Sequence, residues 1–243
     1  MPEAITIAMD GPAGAGKSTL ARRLARELGY LYLDSGAMYR SVGLVAAERG
    51  IDLDDAEACA EIGRDMVFDF PWIDGELHVI ADGRDVSGLI RTGEAGRRAS
   101  VVSQHPPVRE VLVATQRAMG SRGGVVMEGR DIGTVVLPDA ELKVFLTASA
   151  RVRGRRRFEQ LRAAGQDVTL EQVIDSVEER DLRDSTRPIA PLKPAEDAVV
   201  LDSSEMTIER VHKTLLKLVR VRVDPSARVS WETTPGYDPS LGR

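Results

Sequence analysis

The segment Gly11-Pro12-Ala13-Gly14-Ala15-Gly16-Lys17-Ser18-Thr19 narrows what this chain can fold into more than any other. It fits the pattern GxxxxGK[ST], and its surroundings are as informative as its spelling. An apolar run from Ile5 to Met9 leads into it. Leu20, Ala21, Leu24, Ala25 and Leu28 follow at helical spacing, and Gly29 stands where a helix would end. Strand, glycine loop and helix together let successive backbone N–H groups point at phosphate oxygens, with the helix N-terminus adding favourable potential. A glycine-rich turn with an accidental lysine would lack these flanks. Residues Gly11 to Thr19 are therefore expected to hold a nucleoside triphosphate. Lys17 should reach the β- and γ-phosphates, Ser18 offers a hydroxyl to Mg²⁺, and Thr19 is a second hydroxyl nearby.

The same punctuation recurs. Short buried-type strands are expected at residues 31–33, 125–127, 142–146 and 198–201, separated by helical stretches, which is the pattern of a parallel α/β sheet. Helix starts are marked by Pro106-Pro107, by a capping box from Thr169 to Gln172, and by Thr207. Residues 66–92 break the alternation with an Asp74-Gly75 turn between alternating apolar positions, and predict an antiparallel insert. After Val223 the chain has three prolines and little periodicity, so residues 224–243 are expected to form an extended or mobile tail. Trp72 and Trp231 are expected to be packing residues rather than a stacking platform.

Composition sets outer limits. The chain has 243 residues, 42% of them hydrophobic and 29% charged, enough to bury a core. No stretch approaches the roughly 20 apolar residues of a membrane span, so no membrane partner is expected. A net charge of −5 argues against binding nucleic acid with the whole surface. Cys59 is the one cysteine, and His78, His105 and His212 have no metal-ligand spacing. The N-terminal residues lack a basic, then apolar, leader pattern, and a cytoplasmic location is expected. Of the 33 basic residues, 28 are arginine, which suits phosphate recognition but is equally explained by codon bias.

A phosphate loop does not choose a reaction. A GTPase would carry a DxxG switch together with an NKxD base reader, and no NKxD occurs. Arginines spread over several segments suit a site that neutralises two phosphorylated molecules.

Three further segments are telling: residues 33–40 (LDSGAMYR), 128–136 (EGRDIGTVV) and 179–188 (ERDLRDSTRP). With the phosphate loop and an arginine-rich stretch near 151–157, they resemble, in order, the signature segments of the bacterial cytidylate kinase family, within the nucleoside monophosphate kinases. The resemblance runs from about residue 4 to 220. It implies a three-layer P-loop α/β fold with a five-stranded parallel core sheet, a helical lid and an enlarged monophosphate-binding insert containing antiparallel strands. The corresponding domain would span residues 1–223, with the insert at about 36–105 and the lid at about 151–167. It also implies phosphoryl transfer from ATP, with Mg²⁺, to CMP or dCMP by a monomer. Ser35, Arg40, Ser100, Arg109, Arg130, Asp131, Arg180, Asp184 and Arg187 fall where the family holds the acceptor nucleotide. Arg40, Arg130 and Arg187 would face phosphate and Asp184 the sugar. Ser100, Arg109 and Asp131 would lie near the base. Cytosine suits such a set, since its amine donates to a carboxylate and its ring acceptors take bonds from Arg and Ser.

Each residue also has a plainer reading. Ser35 could cap a helix. Arg130 and Asp131 could be a surface turn pair, and Arg180 with Asp184 a solvated i, i+4 pair. In the cluster Arg151, Arg153, Arg155, Arg156 and Arg157, the first choice for closing over the triphosphate is Arg153 with Arg157, one helical turn apart. A solvated basic face and a nucleic-acid patch are the alternatives, the latter weakened by Phe158 being the one aromatic nearby. Other small-acceptor kinases, for UMP, AMP or shikimate, would share the loop and lid but not the segments at 33–40 and 128–136.

Overall fold

A computed structural model describes residues 4–121, 123–224 and 226. Apart from Asp224 and Ser226, the expected tail lies outside the described residues, as does Trp231. The described chain falls into two compact units, Leu33–Ser121 and the remainder on either side of it.

The first unit opens with β1 (Thr6–Asp10), the glycine loop, α1 (Lys17–Leu28) and β2 (Leu31–Asp34), whose last two residues begin the second unit. Helix α1 buries Leu20, Ala21, Leu24 and Ala25 and ends at Gly29, whose φ of 67° is the left-handed cap anticipated from the pattern.

The second unit contains α2 (Ser35–Glu48), α3 (Ala56–Asp65), short strands β3 (Phe68–Asp69), β4 (Trp72–Ile73), β5 (Glu76–Leu77), β6 (Ile80–Ala81) and β7 (Arg84–Asp85), then α4 (Gly93–Val102) and α5 (Pro106–Gly120). Side chains of Asp34, Asp55 and Thr92 accept from backbone N–H groups and so cap α2, α3 and α4. The expected antiparallel insert is present as two small sheets, β3-β6-β7 and β4-β5. Asp74 and Gly75 have φ of 51° and 80°, as a two-residue hairpin turn requires. Asp82-Gly83 makes the same kind of turn between β6 and β7. Contrary to the packing expectation, Trp72 is 39% exposed and Ile73 beside it 45%, because β4 pairs with β5 alone. Asp85-Val86-Ser87-Gly88 fits DxxG in spelling only. The Asp85 carboxylate is spent locally, accepting from the Ser87 amide at 2.9 Å and meeting His78 Nδ1 at 2.6 Å.

The first unit resumes with β8 (Val125–Gly129), a π-helical turn at Ile132–Val136, β9 (Leu142–Thr147), α6 (Ala150–Ala163), α7 (Leu170–Thr186), β10 (Val199–Asp202) and α8 (Ile208–Val223). Its five-stranded parallel sheet has the order β10-β9-β1-β8-β2. Central β1 pairs in parallel with β8, Ile7 opposite Val126, and with β9, Ile7 opposite Leu142. Ile7, Ala8, Met9, Val126, Met127 and Leu142 are all fully buried. Strands covered on both faces read as unbroken apolar runs, which is why short apolar runs set off by turn residues and helical stretches revealed them. Because the strands are parallel, the segments after β1, β8, β9 and β10 leave one edge of the sheet, where ligands of open α/β sheets bind.

Candidate active site

The loop after β1 is tightly shaped. A Cβ at Gly11 would lie 1.9 Å from the Leu146 carbonyl oxygen, and one at Gly14, where φ is 76°, would lie 3.2 Å from Arg153 Cβ. Glycine is therefore required where the loop passes β9 and α6. Lys17 is only 5% exposed, and its Nζ donates to the Pro12 carbonyl at 2.9 Å. Burial, and then the nearby Arg130 guanidinium, lower its pKa to about 7. Ser18 Oγ donates to Glu128 Oε2 at 3.0 Å, and the Tyr32 hydroxyl donates to the other oxygen of that buried carboxylate.

Asp10 closes β1. Its two oxygens accept from the amides of Ile132 at 2.8 Å and Gly133 at 2.7 Å. Burial raises its pKa to about 6, although both amide bonds favour the charged form.

Helix α6 starts at a Ser149 cap that accepts from the Val152 amide. Arg153, 4% exposed, bonds the carbonyls of Ala148 at 2.7 Å and Ala13 at 3.0 Å, and pairs with Asp181 of α7. Arg156 donates to the Ser203 carbonyl at 2.9 Å and to the Ala15 carbonyl at 3.5 Å. Arg157 bonds Gln160 within its own helix. The arginines that the structure brings to the phosphate loop are thus Arg153 and Arg156.

After β8, Arg130 Nε lies 2.9 Å from Asp184 Oδ2, and Arg180 Nε lies 3.9 Å from the same oxygen. Arg187 bonds the Ala190 carbonyl at 2.6 Å, and its Nη2 lies 3.6 Å from Asp131 Oδ1. Asp131 and Asp184 are 6% and 9% exposed. These values overturn the surface turn pair and the solvated helix pair. The buried face of α7, carrying Val173 and Val177, turns Asp184 inward with them. The first unit thus holds two charge clusters, Asp184 with Arg130 and Arg180, and Asp131 with Arg187, linked by the chain where Arg130 and Asp131 are neighbours.

In the second unit, Ser35 opens α2 and is buried, but the helix is capped by Asp34, which corrects the capping alternative for Ser35. The other Asp34 oxygen pairs with Arg40 Nη2 at 2.7 Å. Ser100 lies on α4 and Arg109 on α5, and both are buried.

Asp10, Asp34, Glu128, Arg156 and Asp181 were given no part by sequence reasoning, or only a minor one. Asp10 and Glu128 had a signal: each is a carboxylate ending an otherwise apolar buried strand, a costly position unless it is used. Nothing local marked Arg156 out from its arginine neighbours.

The cytidylate kinase family model matches residues 7–221. A cytidylate kinase from Geobacter sp. (strain M21) is 51% identical over 220 residues, covering 90% of this chain and 94% of that protein. One from Pseudomonas aeruginosa (strain UCBPP-PA14) is 48% identical over 213 residues, covering 87% and 93%. The crystal structure of an uncharacterized protein from Eubacterium ventriosum superimposes with a TM-score of 0.50 at 11% identity, covering 88% of this chain and 97% of that one, a likeness of fold alone. A match over nearly the whole folded length, on a chain whose parallel sheet carries a phosphate loop after its central strand, places it in the cytidylate kinase family.

Proposed function

We propose that this protein transfers the γ-phosphoryl group of ATP to the 5′-phosphate of CMP or dCMP, giving ADP and CDP or dCDP. The observation that carries the reading is the pairing, in one unit, of a shaped phosphate loop with two buried carboxylates, Asp184 beside Arg130 and Arg180 and Asp131 beside Arg187. A site for phosphate alone would need the arginines only; a site for a nucleoside phosphate also needs acceptors for sugar hydroxyls and a base amine.

Gly11 to Thr19 hold the ATP phosphates, and Lys17 follows the charge that builds on the migrating group. Ser18 and the Glu128 carboxylate bonded to it are hard oxygen donors that fit Mg²⁺. When bound, Mg²⁺ supplies charge neutralisation between the β- and γ-phosphates. Residues 151–167 act as a lid, Arg153 setting the loop through Ala13 and Arg157 turning toward phosphate on closure, so that water is kept out. Arg40, Arg130 and Arg187 hold the acceptor phosphate, with Arg180 and Asp184 on the sugar. Ser100, Arg109 and Asp131 read cytosine, and Ser35 supports the acceptor from the start of α2. The attacking oxygen is already anionic, so alignment and charge compensation suffice and no strong general base is required.

The enzyme works as a cytoplasmic monomer within residues 1–223, with residues 36–105 as the acceptor-side insert. A coupled assay of ADP formation with CMP, dCMP, UMP and AMP tests the reading. Turnover should be fastest with CMP and dCMP. Faster turnover with AMP or UMP, or none with any of the four, would overturn it.

A further inference from the structure

A helical turn leaves its first amide N–H groups without partners inside the turn, and the residue before it commonly supplies its own side chain as a cap. The turn at Ile132–Val136 follows Asp131, a residue type well suited to that task. Yet the Asp131 side chain makes no capping bond. Its backbone carbonyl accepts from the amides of Val135 at 2.9 Å and Val136 at 3.2 Å, and its carboxylate lies 3.6 Å from Arg187 Nη2. The caps come from 122 and 123 residues away: Asp10 Oδ1 takes the Ile132 amide and Oδ2 takes the Gly133 amide.

We propose that Asp10, by holding the amides of Ile132 and Gly133, fixes the turn that begins at Asp131 and is thereby a positioning residue for base selectivity. The assignment rests on the reading of Arg130 and Asp131 as acceptor ligands. Asp10 is 6% exposed, so water competes little for its two bonds. Both oxygens accept, and only a carboxylate can serve two N–H donors in this way. An asparagine would present its NH₂ to one of them. Glutamate would keep the charge but carry one more methylene into a packed junction. With one amide released, the turn is no longer held at the two residues that directly follow Asp131, and the carboxylate loses the fixed position from which it meets the base.

The turn has a second side. A Cβ at Gly133 would lie 3.2 Å from Lys143 Cδ and 3.5 Å from Asp10 Oδ2. Gly133→Ala therefore crowds the turn against the Lys143 stem and sets a methyl beside Asp10 Oδ2, while leaving the Asp10 carboxylate in the chain.

Asp10→Asn tests the proposal through kcat and KM for CMP, UMP and ATP, measured separately with a melting curve for each protein. The expected result is a KM for CMP raised about tenfold, a KM for ATP changed less than about twofold, and a CMP-over-UMP preference reduced about tenfold. In an Asp131→Ala background, Asp10→Asn should lower that preference no further, since both changes remove one device. An unchanged preference in Asp10→Asn, with CMP and UMP impaired equally, would overturn the assignment and leave Asp10 a structural residue. A further drop in the Asp131→Ala background would do the same. Should Asp10→Asn fail to fold, Gly133→Ala carries the same readout, with a smaller loss of preference expected and an unchanged one overturning it. A wild-type protein inactive on CMP would fell the functional reading and this one together, whereas an active protein with unchanged preference fells this one alone.

Discussion

Lys17 is held where a lysine is least comfortable, buried beside Arg130, and its pKa falls from 10.5 to about 7. Between those values the unfolded chain keeps a proton that the folded one has released, so this group makes stability rise with pH from about 7 to about 10.5. Phosphate oxygens arriving at the loop reverse the balance and favour the ammonium form. ATP binding at pH 8 should therefore take up protons, approaching about one per site. Titration calorimetry in two buffers of different ionisation enthalpy measures this; identical heats in both would remove Lys17 from the phosphates. Asp131 makes the second prediction at this scale. A carboxylate attracts the cytosine amine and repels the uracil carbonyl. Asp131→Ala should cost CMP efficiency about 1–3 kcal/mol and affect UMP much less. Equal proportional losses in kcat/KM would make Asp131 a support for Arg187 and Arg130 instead.

At the scale of elements, α6 divides its arginines by depth. One face turns Arg153 inward onto Ala13, Ala148 and Asp181, while Arg157, a turn further on, stays half-buried on Gln160. A shared face in the helical wheel thus does not mean a shared task. Arg153→Ala leaves Asp181 without its buried partner, and because Asp181 is itself a quarter exposed the cost should sit near the lower end for such pairs, about 3 kcal/mol. Arg157→Ala should leave unfolding nearly unchanged and lower kcat more than it raises the KM for CMP. Denaturant midpoints and steady-state kinetics for both variants decide this. Comparable loss of stability from the two changes would contradict the division. Reading α6 from sequence was limited for a simple reason: arginines at 151, 153, 155, 156 and 157 offer every face a charge, so periodicity has nothing to select.

For the molecule as a whole, ligand binding and folding are linked, because the phosphate loop exists only when β1, β8, β9 and α6 are assembled around it. ATP at a hundred times its Kd should add about 2.7 kcal/mol to the unfolding free energy, and Lys17→Ala should remove most of that gain. An equal gain in both proteins, read from denaturant midpoints with and without ATP, would place ATP elsewhere. The linkage also separates what the chain shows by itself from what assembly adds. The strands at 6–10, 125–129 and 142–147, the left-handed Gly29 cap, the Thr169–Gln172 capping box and the Asp74-Gly75 turn were legible because each depends on residues within a few positions of one another. The phosphate loop was legible for the same reason. Partners across the fold were not: Ser18 meets Glu128 at a separation of 110 residues, Asp10 meets Ile132 at 122, and Arg153 meets Ala13 at 140. Sequence by itself determined the elements and the chemistry of the loop, since local sterics and hydrophobic period are written locally. Which carboxylate neutralises which arginine was decided only by tertiary structure, because a buried charge is stabilised by whatever group the sheet edge brings within hydrogen-bonding distance.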